Sequence, residues 1–179
     1  MKKLGLILFS AALLTGCASY QPLAVQEEVN LTQYMGKWYE QARLPNRFQE
    51  HCVGEVSAQY QLLEANQVSV ENQCVTDSGE TTTAKALARL NDSVVPPNTA
   101  MLEVRFAPAW LSWWPGVWGD YWIMRIEGHY EYALVGTPDR KYLWVLSREQ
   151  QGDTAVVQQL LNYAAEQGFD IDKVTYTAP

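Results

Sequence analysis

Short segments in which apolar and polar residues alternate fill most of the chain, and they constrain its fold more than any other feature. Between positions 56 and 62, Val56, Ala58, Tyr60 and Leu62 fall on one face of an extended chain and polar residues on the other. A period of two is typical of a β-strand that buries one face. Similar segments predict strands over 68–73, 81–90, 102–106, 121–127, 130–135 and 142–148, and Trp38 opens one more.

These eight strands are joined by short turns without crossover helices, which predicts an antiparallel meander. Eight strands close into a barrel wide enough for one small ligand. The expected fold class is therefore all-β: an eight-stranded antiparallel up-and-down barrel with one C-terminal α-helix packed outside. The helix is predicted over 153–167 and a short closing strand over 174–177. An apolar stripe at helical spacing consists of Val156, Val157, Leu160, Leu161 and Ala164.

The N-terminus is typical of a secreted lipoprotein. Lys2 and Lys3 precede an apolar run over 4–14 that is too short to span a bilayer. Leu-Thr-Gly-Cys at 14–17 resembles the bacterial lipobox, whose cysteine is acylated, for example with palmitate; an ordinary cleavage site is the alternative. We therefore expect a lipoprotein signal peptide (1–16), a tether (17–30) lipidated at Cys17 and reaching about 40 Å when extended, and one domain (31–179).

Two further cysteines, Cys52 and Cys74, would lie in an oxidising compartment, where a disulfide is the default. A simple hairpin turning at 64–67 sets Cys74 opposite position 56 rather than 52. The chain before Val53 must therefore curl back to bring the two Cα atoms within about 7 Å. The alternative is a free Cys52 activated by the neighbouring His51.

Three motifs follow in a fixed order: Gly-Lys-Trp-Tyr-Glu at 36–40, Glu-Gly-His-Tyr-Glu-Tyr-Ala-Leu-Val at 127–135 and Tyr-Leu-Trp-Val-Leu-Ser-Arg at 142–148. The ordered set, with the segments between, covers nearly the whole mature chain. It resembles the lipocalin family, in particular the bacterial outer-membrane lipoprotein branch.

The resemblance implies a structural motif at the closed floor of the barrel. In such proteins the tryptophan of the first strand stacks under an arginine of the last strand. This carries over to Trp38 and Arg148, with Gly36 allowing close approach of the backbone.

The inward-facing positions of the predicted strands are mostly apolar with a few hydroxyls, which suits an acyl chain. Tyr121 and Trp144 match positions that line the ligand in the branch that the chain resembles. Arg125 also falls on the inner parity and is expected to pair with Glu40 near the floor. The predicted ligand-binding residues are Tyr60, Ala86, Val104, Tyr121, Ile123, Tyr132, Tyr142 and Trp144.

The segment 107–119 holds four tryptophans, two prolines and two glycines, so it is a loop rather than a strand. Connections alternate between the two ends of a barrel, which places this loop at the mouth. Two roles stay open: it folds over its own barrel as a lid or plug, or it touches a membrane or gates a ligand.

The favoured hypothesis is a non-enzymatic lipocalin anchored to the outer membrane on its periplasmic side. It would bind a fatty acid or lysophospholipid for storage or transport in membrane maintenance, as the resemblance implies, with no cofactor or metal. The alternatives are a lipid-modifying enzyme and a structural envelope lipoprotein with a filled barrel. The net charge of −7, which becomes −9 once Lys2 and Lys3 leave with the leader, argues against nucleic acid. A homodimer through the apolar mouth stays open.

Overall fold

A computed structural model describes residues 22–178, which contain nine β-strands and two α-helices. The leader and Cys17 lie outside these described residues. The strands are β1 (Gly36–Arg43), β2 (Cys52–Leu62), β3 (Val68–Thr76), β4 (Thr81–Leu90), β5 (Met101–Arg105), β6 (Gly119–Glu127), β7 (Tyr132–Gly136), β8 (Leu143–Ser147) and β9 (Thr175–Tyr176). The α-helices are α1 (Leu31–Tyr34) and α2 (Thr154–Glu166); 3₁₀ turns span Glu64–Asn66, Ala109–Leu111, Pro115–Val117 and Ile171–Lys173.

Each of the first seven strands pairs antiparallel with the next, and β1 pairs with both β2 and β8, so the sheet closes on itself. The predicted eight-stranded barrel is confirmed. Near the mouth β9 pairs with β1, and the backbone carbonyl of Ala178 accepts a hydrogen bond from Glu55 of β2. The C-terminal tail thus fills the space where β1 and β2 separate.

The floor of the barrel is closed by Trp38 and Arg148. Trp38 is fully buried, and the Arg148 guanidinium carbon lies 3.8 Å from the centroid of its ring. The guanidinium also donates to the carbonyls of Gln33, Lys37 and Tyr130 at 2.8, 2.9 and 3.1 Å. One side chain therefore joins α1, β1 and the β6–β7 turn.

Helix α2 packs on the outside of the barrel, as predicted. Asp153 caps it by accepting from the backbone N–H of Ala155 at 2.7 Å, and Gly168 ends it with a φ of +90°. Its buried face covers the outward side chains of β6, β7 and β8. That face consists of Val157, Leu160, Leu161 and Ala164.

Residues 23–30, which the sequence analysis assigned to the tether, pack against the barrel instead. Leu23 and Val29 are buried, Leu23 among the residues under α2 and Val29 in the interior core. Hydrogen bonds from the backbone N–H of Gln26 to Ile123 O and from that of Asn30 to the Tyr130 hydroxyl fix this segment. The segment has no alternation of apolar and polar residues because it packs along β6 without forming a helix or strand. Its sequence therefore resembles that of a linker.

Cys52 and Cys74 form a disulfide with a Cα–Cα distance of 5.6 Å. Two register shifts between Cys52 and Ser57 bend the start of β2, and Glu55 adopts a φ of +48° there. These irregularities bend the chain so that Cys52 approaches Cys74, as the sequence analysis required for a disulfide. Since both sulfurs are used, the alternative of a free Cys52 activated by His51 is wrong.

No helix in residues 22–178 has the length and hydropathy that a membrane crossing requires.

Replacing Trp38 with alanine tests the floor. The change empties a fully buried site and removes the ring beneath Arg148, so we expect a loss of about 3–5 kcal/mol in the free energy of unfolding by urea. Trp110→Ala is the matched control, because Trp110 is 72% exposed, and it should shift that free energy by less than about 0.5 kcal/mol. Similar losses in the two variants would contradict this account of the floor.

Candidate functional site: the barrel cavity

The barrel encloses a cavity of about 720 Å³ that opens at the end opposite Trp38. This volume lies within the range for sites that enclose small molecules. Apolar and aromatic side chains make up most of its wall. Its mouth is formed by the β1–β2, β5–β6 and β7–β8 connections, as the alternation of connections predicted.

The deep end of the cavity is a cluster of three phenols. The Tyr121 hydroxyl lies 2.8 Å from that of Tyr34 and 2.9 Å from that of Tyr60. Burial raises the pKa of all three well above the usual value of a tyrosine, that of Tyr60 to about 12. The deep end is therefore polar but uncharged at neutral pH.

One side wall carries a stack of rings. Trp144 and Tyr142 lie parallel, with centroids 5.9 Å apart and planes inclined by 6°, and the Phe48 ring centroid lies 5.9 Å from that of Tyr142. The indole N–H of Trp144 donates to Gln49 Oε1 at 2.9 Å. Gln49 thus fixes the orientation of Trp144.

The same glutamine continues into a buried charge network. Its Nε2 donates to Glu40 at 2.7 Å, and Glu40 also accepts from Arg43 and from the Thr177 hydroxyl, each at 2.6 Å. Glu40 and Arg43 are both buried. A buried carboxylate is tolerated when it is paired and hydrogen-bonded, so Glu40 adds no uncompensated charge to the wall.

Comparison with known proteins gives the family. Residues 29–179 match the family model of the lipocalin-like domain. The chain belongs to the lipocalin family. Lipocalins bind small hydrophobic ligands and are generally carriers rather than enzymes.

Individual relatives support the assignment over most of the chain. Temperature-induced lipocalin-1 of Arabidopsis thaliana is 36% identical, covering 87% of this chain and 82% of its own. Outer membrane lipoprotein Blc of Escherichia coli K12 is 32% identical, covering 92% and 89%. Blc of Vibrio cholerae is 31% identical and covers 98% of each chain. Among solved structures, insecticyanin of the tobacco hornworm Manduca sexta shares the fold, with a TM-score of 0.66 at 18% identity over 89% and 85% of the two chains.

Five of the eight predicted ligand residues line this lipocalin's cavity: Tyr60, Val104, Tyr121, Tyr142 and Trp144. Ala86 and Ile123 belong to the interior core and are not part of the cavity wall. Whether the five contact a ligand stays a prediction.

Tyr132 faces outward, so the prediction that it lines the cavity is wrong. Its hydroxyl accepts from the backbone N–H of Asp153 at the start of α2. Directly paired residues of an antiparallel ladder share a face, and Val135, not Tyr132, is on the face of Trp144. The face of a β7 side chain cannot be inferred from the alternation on β8, because the pairing register set by the 137–142 turn is not visible in the sequence.

The predicted pair of Arg125 and Glu40 is also wrong. A register shift between Ile123 and Arg125 turns Arg125 to the outer face. There it pairs with Glu127 at 2.6 Å and lies over the ring of Tyr163 of α2. Glu40 has Arg43 instead.

Sequence reasoning missed two residues that organise the cavity of this lipocalin. Tyr34 precedes the first strand, where no alternation indicates which way its side chain points. The indole N–H of Trp38, four residues later, donates to the Tyr34 carbonyl at 2.8 Å. Gln49 lies in the β1–β2 connection, where no periodicity indicates direction. The proximity of the Gln49 amide to the inward-facing Trp144 could be recognised only once the fold was known.

Tyr121→Phe tests the phenol cluster. The change removes both hydroxyl contacts and leaves two buried phenols without that partner, so we expect a loss of about 2 kcal/mol in the free energy of unfolding. Tyr60→Phe removes a single contact and should cost about 1 kcal/mol. Urea unfolding at pH 7 measures both, and a smaller loss for Tyr121→Phe than for Tyr60→Phe would refute the central position of Tyr121.

The same cluster predicts alkaline unfolding. The folded-state pKa of Tyr60 is raised from 10.0 to about 12, so its contribution is complete below pH 10 and is lost as the pH rises toward 12. Each such tyrosine lowers the free energy of unfolding by about 1.4 kcal/mol per pH unit in that window. Tyr60→Phe should have a shallower slope between pH 10 and 12 in urea titrations, and an unchanged slope would contradict the buried titration.

Proposed function

We propose that this lipocalin holds a lipid-like molecule, a fatty acid or lysophospholipid, in its barrel while Cys17 anchors it to the outer membrane on the periplasmic side. It would store or transport this ligand for membrane maintenance. The observation that carries the proposal is the apolar cavity of about 720 Å³, closed at the floor and open at the mouth. A cavity of this size also disfavours the alternative of a filled structural barrel.

The distribution of charge favours an acyl chain pointing inward. Among residues 22–178 the cation that lines the cavity is the guanidinium of Arg47, in the β1–β2 connection at the mouth, where the carboxylates of Asp120 and Asp139 also line the opening. The deep end holds the three phenols, which are neutral at pH 7. An anionic or zwitterionic head would therefore be stabilised at the mouth and its chain in the apolar barrel.

Energetics set the expected affinity. Burying a segment of about ten methylenes contributes roughly 8 kcal/mol before ordering costs, at about 0.8 kcal/mol each. This corresponds to micromolar dissociation constants at best.

The location rests on two supports. The relatives from Escherichia coli and Vibrio cholerae carry the name outer membrane lipoprotein. The lipobox-like residues 14–17 stand shortly before the described part of the chain. Mass measurement of the mature N-terminal peptide from the envelope fraction tests acylation of Cys17 directly.

Titrating the delipidated protein with a fluorescent fatty acid or a lysophospholipid, followed by tryptophan quenching, tests ligand binding. We expect saturable binding, and Trp144→Ala should weaken it about tenfold because the ring forms part of the cavity wall. Trp122→Ala is the matched control, since Trp122 packs on the outer face with the α2 residues and should leave affinity unchanged. Absence of saturable binding, or equal weakening in both variants, would defeat the proposal.

A further inference from the structure

The loop between β5 and β6 exposes three indoles beside the mouth of the cavity. Trp110, Trp113 and Trp114 are 72%, 71% and 54% exposed, and we call them the tryptophan surface. Residues 107–118 contain no charged side chain, although the chain as a whole is acidic. Exposed apolar area concentrated in this way indicates an interaction site.

The loop that carries the tryptophan surface is held in place. Two guanidinium groups contact the ring of Trp118, that of Arg89 at 4.1 Å and that of Arg105 at 5.2 Å from its centroid. Its indole N–H donates to Ser112 O at 2.9 Å, and Arg105 donates to the carbonyl of Pro108. Trp118 lines the cavity, whereas the three exposed indoles do not. The exposed rings are therefore displayed beside the opening rather than folded into it.

The start of the described chain lies toward the same end of the barrel. Asn30 is at the floor, bonded to the Tyr130 hydroxyl, and Gln26 bonds to Ile123 midway along β6. Ala24 N–H then donates to Gln167 at the end of α2, and the Gln167 carbonyl accepts from Arg140 of the mouth turn. From Asn30 back to Ala24, the chain therefore runs from the floor of the barrel toward its mouth.

This route limits where an anchor can be. Cys17 precedes Pro22 by five residues, so the two are at most roughly 18 Å apart. The tether of about 40 Å expected from the sequence would have let the barrel turn freely over the membrane. The shorter connection, leaving at the mouth end, holds that end toward the bilayer.

We propose that the tryptophan surface docks on the lipid bilayer that anchors the chain, so that the mouth of the barrel opens onto the membrane. The inference rests on the proposed function for its anchor and for its lipid ligand. Indoles favour the interface of a bilayer, and an uncharged loop enters it without desolvating a charge. Because the protein is acidic, docking is apolar rather than electrostatic and suits zwitterionic lipid.

The consequence concerns ligand exchange. A ligand leaving a mouth that rests on the bilayer passes into lipid without an aqueous step that exposes its acyl chain. Exposing the methylenes of an acyl chain to water is unfavourable, so docking should speed transfer while leaving the equilibrium affinity in the cavity unchanged.

The test uses the full mature protein, purified from the envelope fraction and incorporated into phosphatidylcholine vesicles with brominated acyl chains, which quench indoles that enter the bilayer. The variant combines Trp110→Ser, Trp113→Ser and Trp114→Ser. The matched control combines Leu62→Ser, Leu63→Ser and Val95→Ser, three exposed apolar residues in or beside the connections at the floor. Thermal melting checks that both remain folded.

We expect wild type and control to lose about two fifths of their fluorescence, since three of the seven tryptophans dock, at both low and 1 M salt. The triple tryptophan variant should lose less than about a tenth, and transfer of a fluorescent fatty acid to vesicles should slow at least about tenfold with unchanged affinity in solution. Protein that does not float with vesicles, or floats with its tryptophans unquenched, overturns the inference.

Two further outcomes separate the possible failures. Dimers in solution that the triple variant abolishes, with no quenching by lipid, would assign the tryptophan surface to a second copy of this chain and overturn docking. Quenching without any saturable ligand binding would support docking and refute the lipid-carrier function instead.

Discussion

The contact of Arg148 with Trp38 decides what the rest of the barrel can do. A fully buried ring fills the floor, and a guanidinium 3.8 Å above its centroid also binds the carbonyls of three separate segments. The fork of a guanidinium can satisfy several carbonyls in fixed geometry, which the point charge of an ammonium cannot. Because this end is closed, the cavity opens at the mouth. The difference in polarity between the floor and the mouth then sets the orientation of a ligand.

That polarity changes along the axis in a simple way. Tyr34 connects the floor to the cavity, because its carbonyl accepts from Trp38 and its hydroxyl contacts Tyr121. Deep burial keeps these phenols protonated, whereas the charged side chains of Arg47, Asp120 and Asp139 lie at the mouth. Between the two ends Glu40 is neutralised by Arg43 within the wall. The barrel therefore offers neutral polarity below, apolar surface in the middle and charge above.

Sequence patterns predicted the strands well and side-chain direction only where the ladder is regular. On β2 and β3 the alternation holds, and Tyr60 pairs with Val70 as expected. On β6 one register shift reverses the parity beyond Ile123, which is why Arg125 was assigned to the wrong face. The prediction that Tyr132 faces inward was wrong because the alternation on one strand does not fix which residues face inward on the next strand when the register across the turn is unknown. Tyr34 and Gln49 were missed since both lie in irregular segments whose direction is set by their partners.

Residues 23–30 show how an irregular segment can set function as well as packing. They carry no period, yet they bury Leu23 and Val29 and shorten the connection to Cys17 to about five residues. Leu23 belongs to the same buried cluster as Met124 of β6, Phe169 and the buried face of α2. Its burial there fixes the direction in which the chain leaves the barrel. The hydrophobic packing of the outer face and the orientation of the mouth are therefore consequences of the same few side chains, and a change that released Leu23 would free the barrel to turn over the membrane.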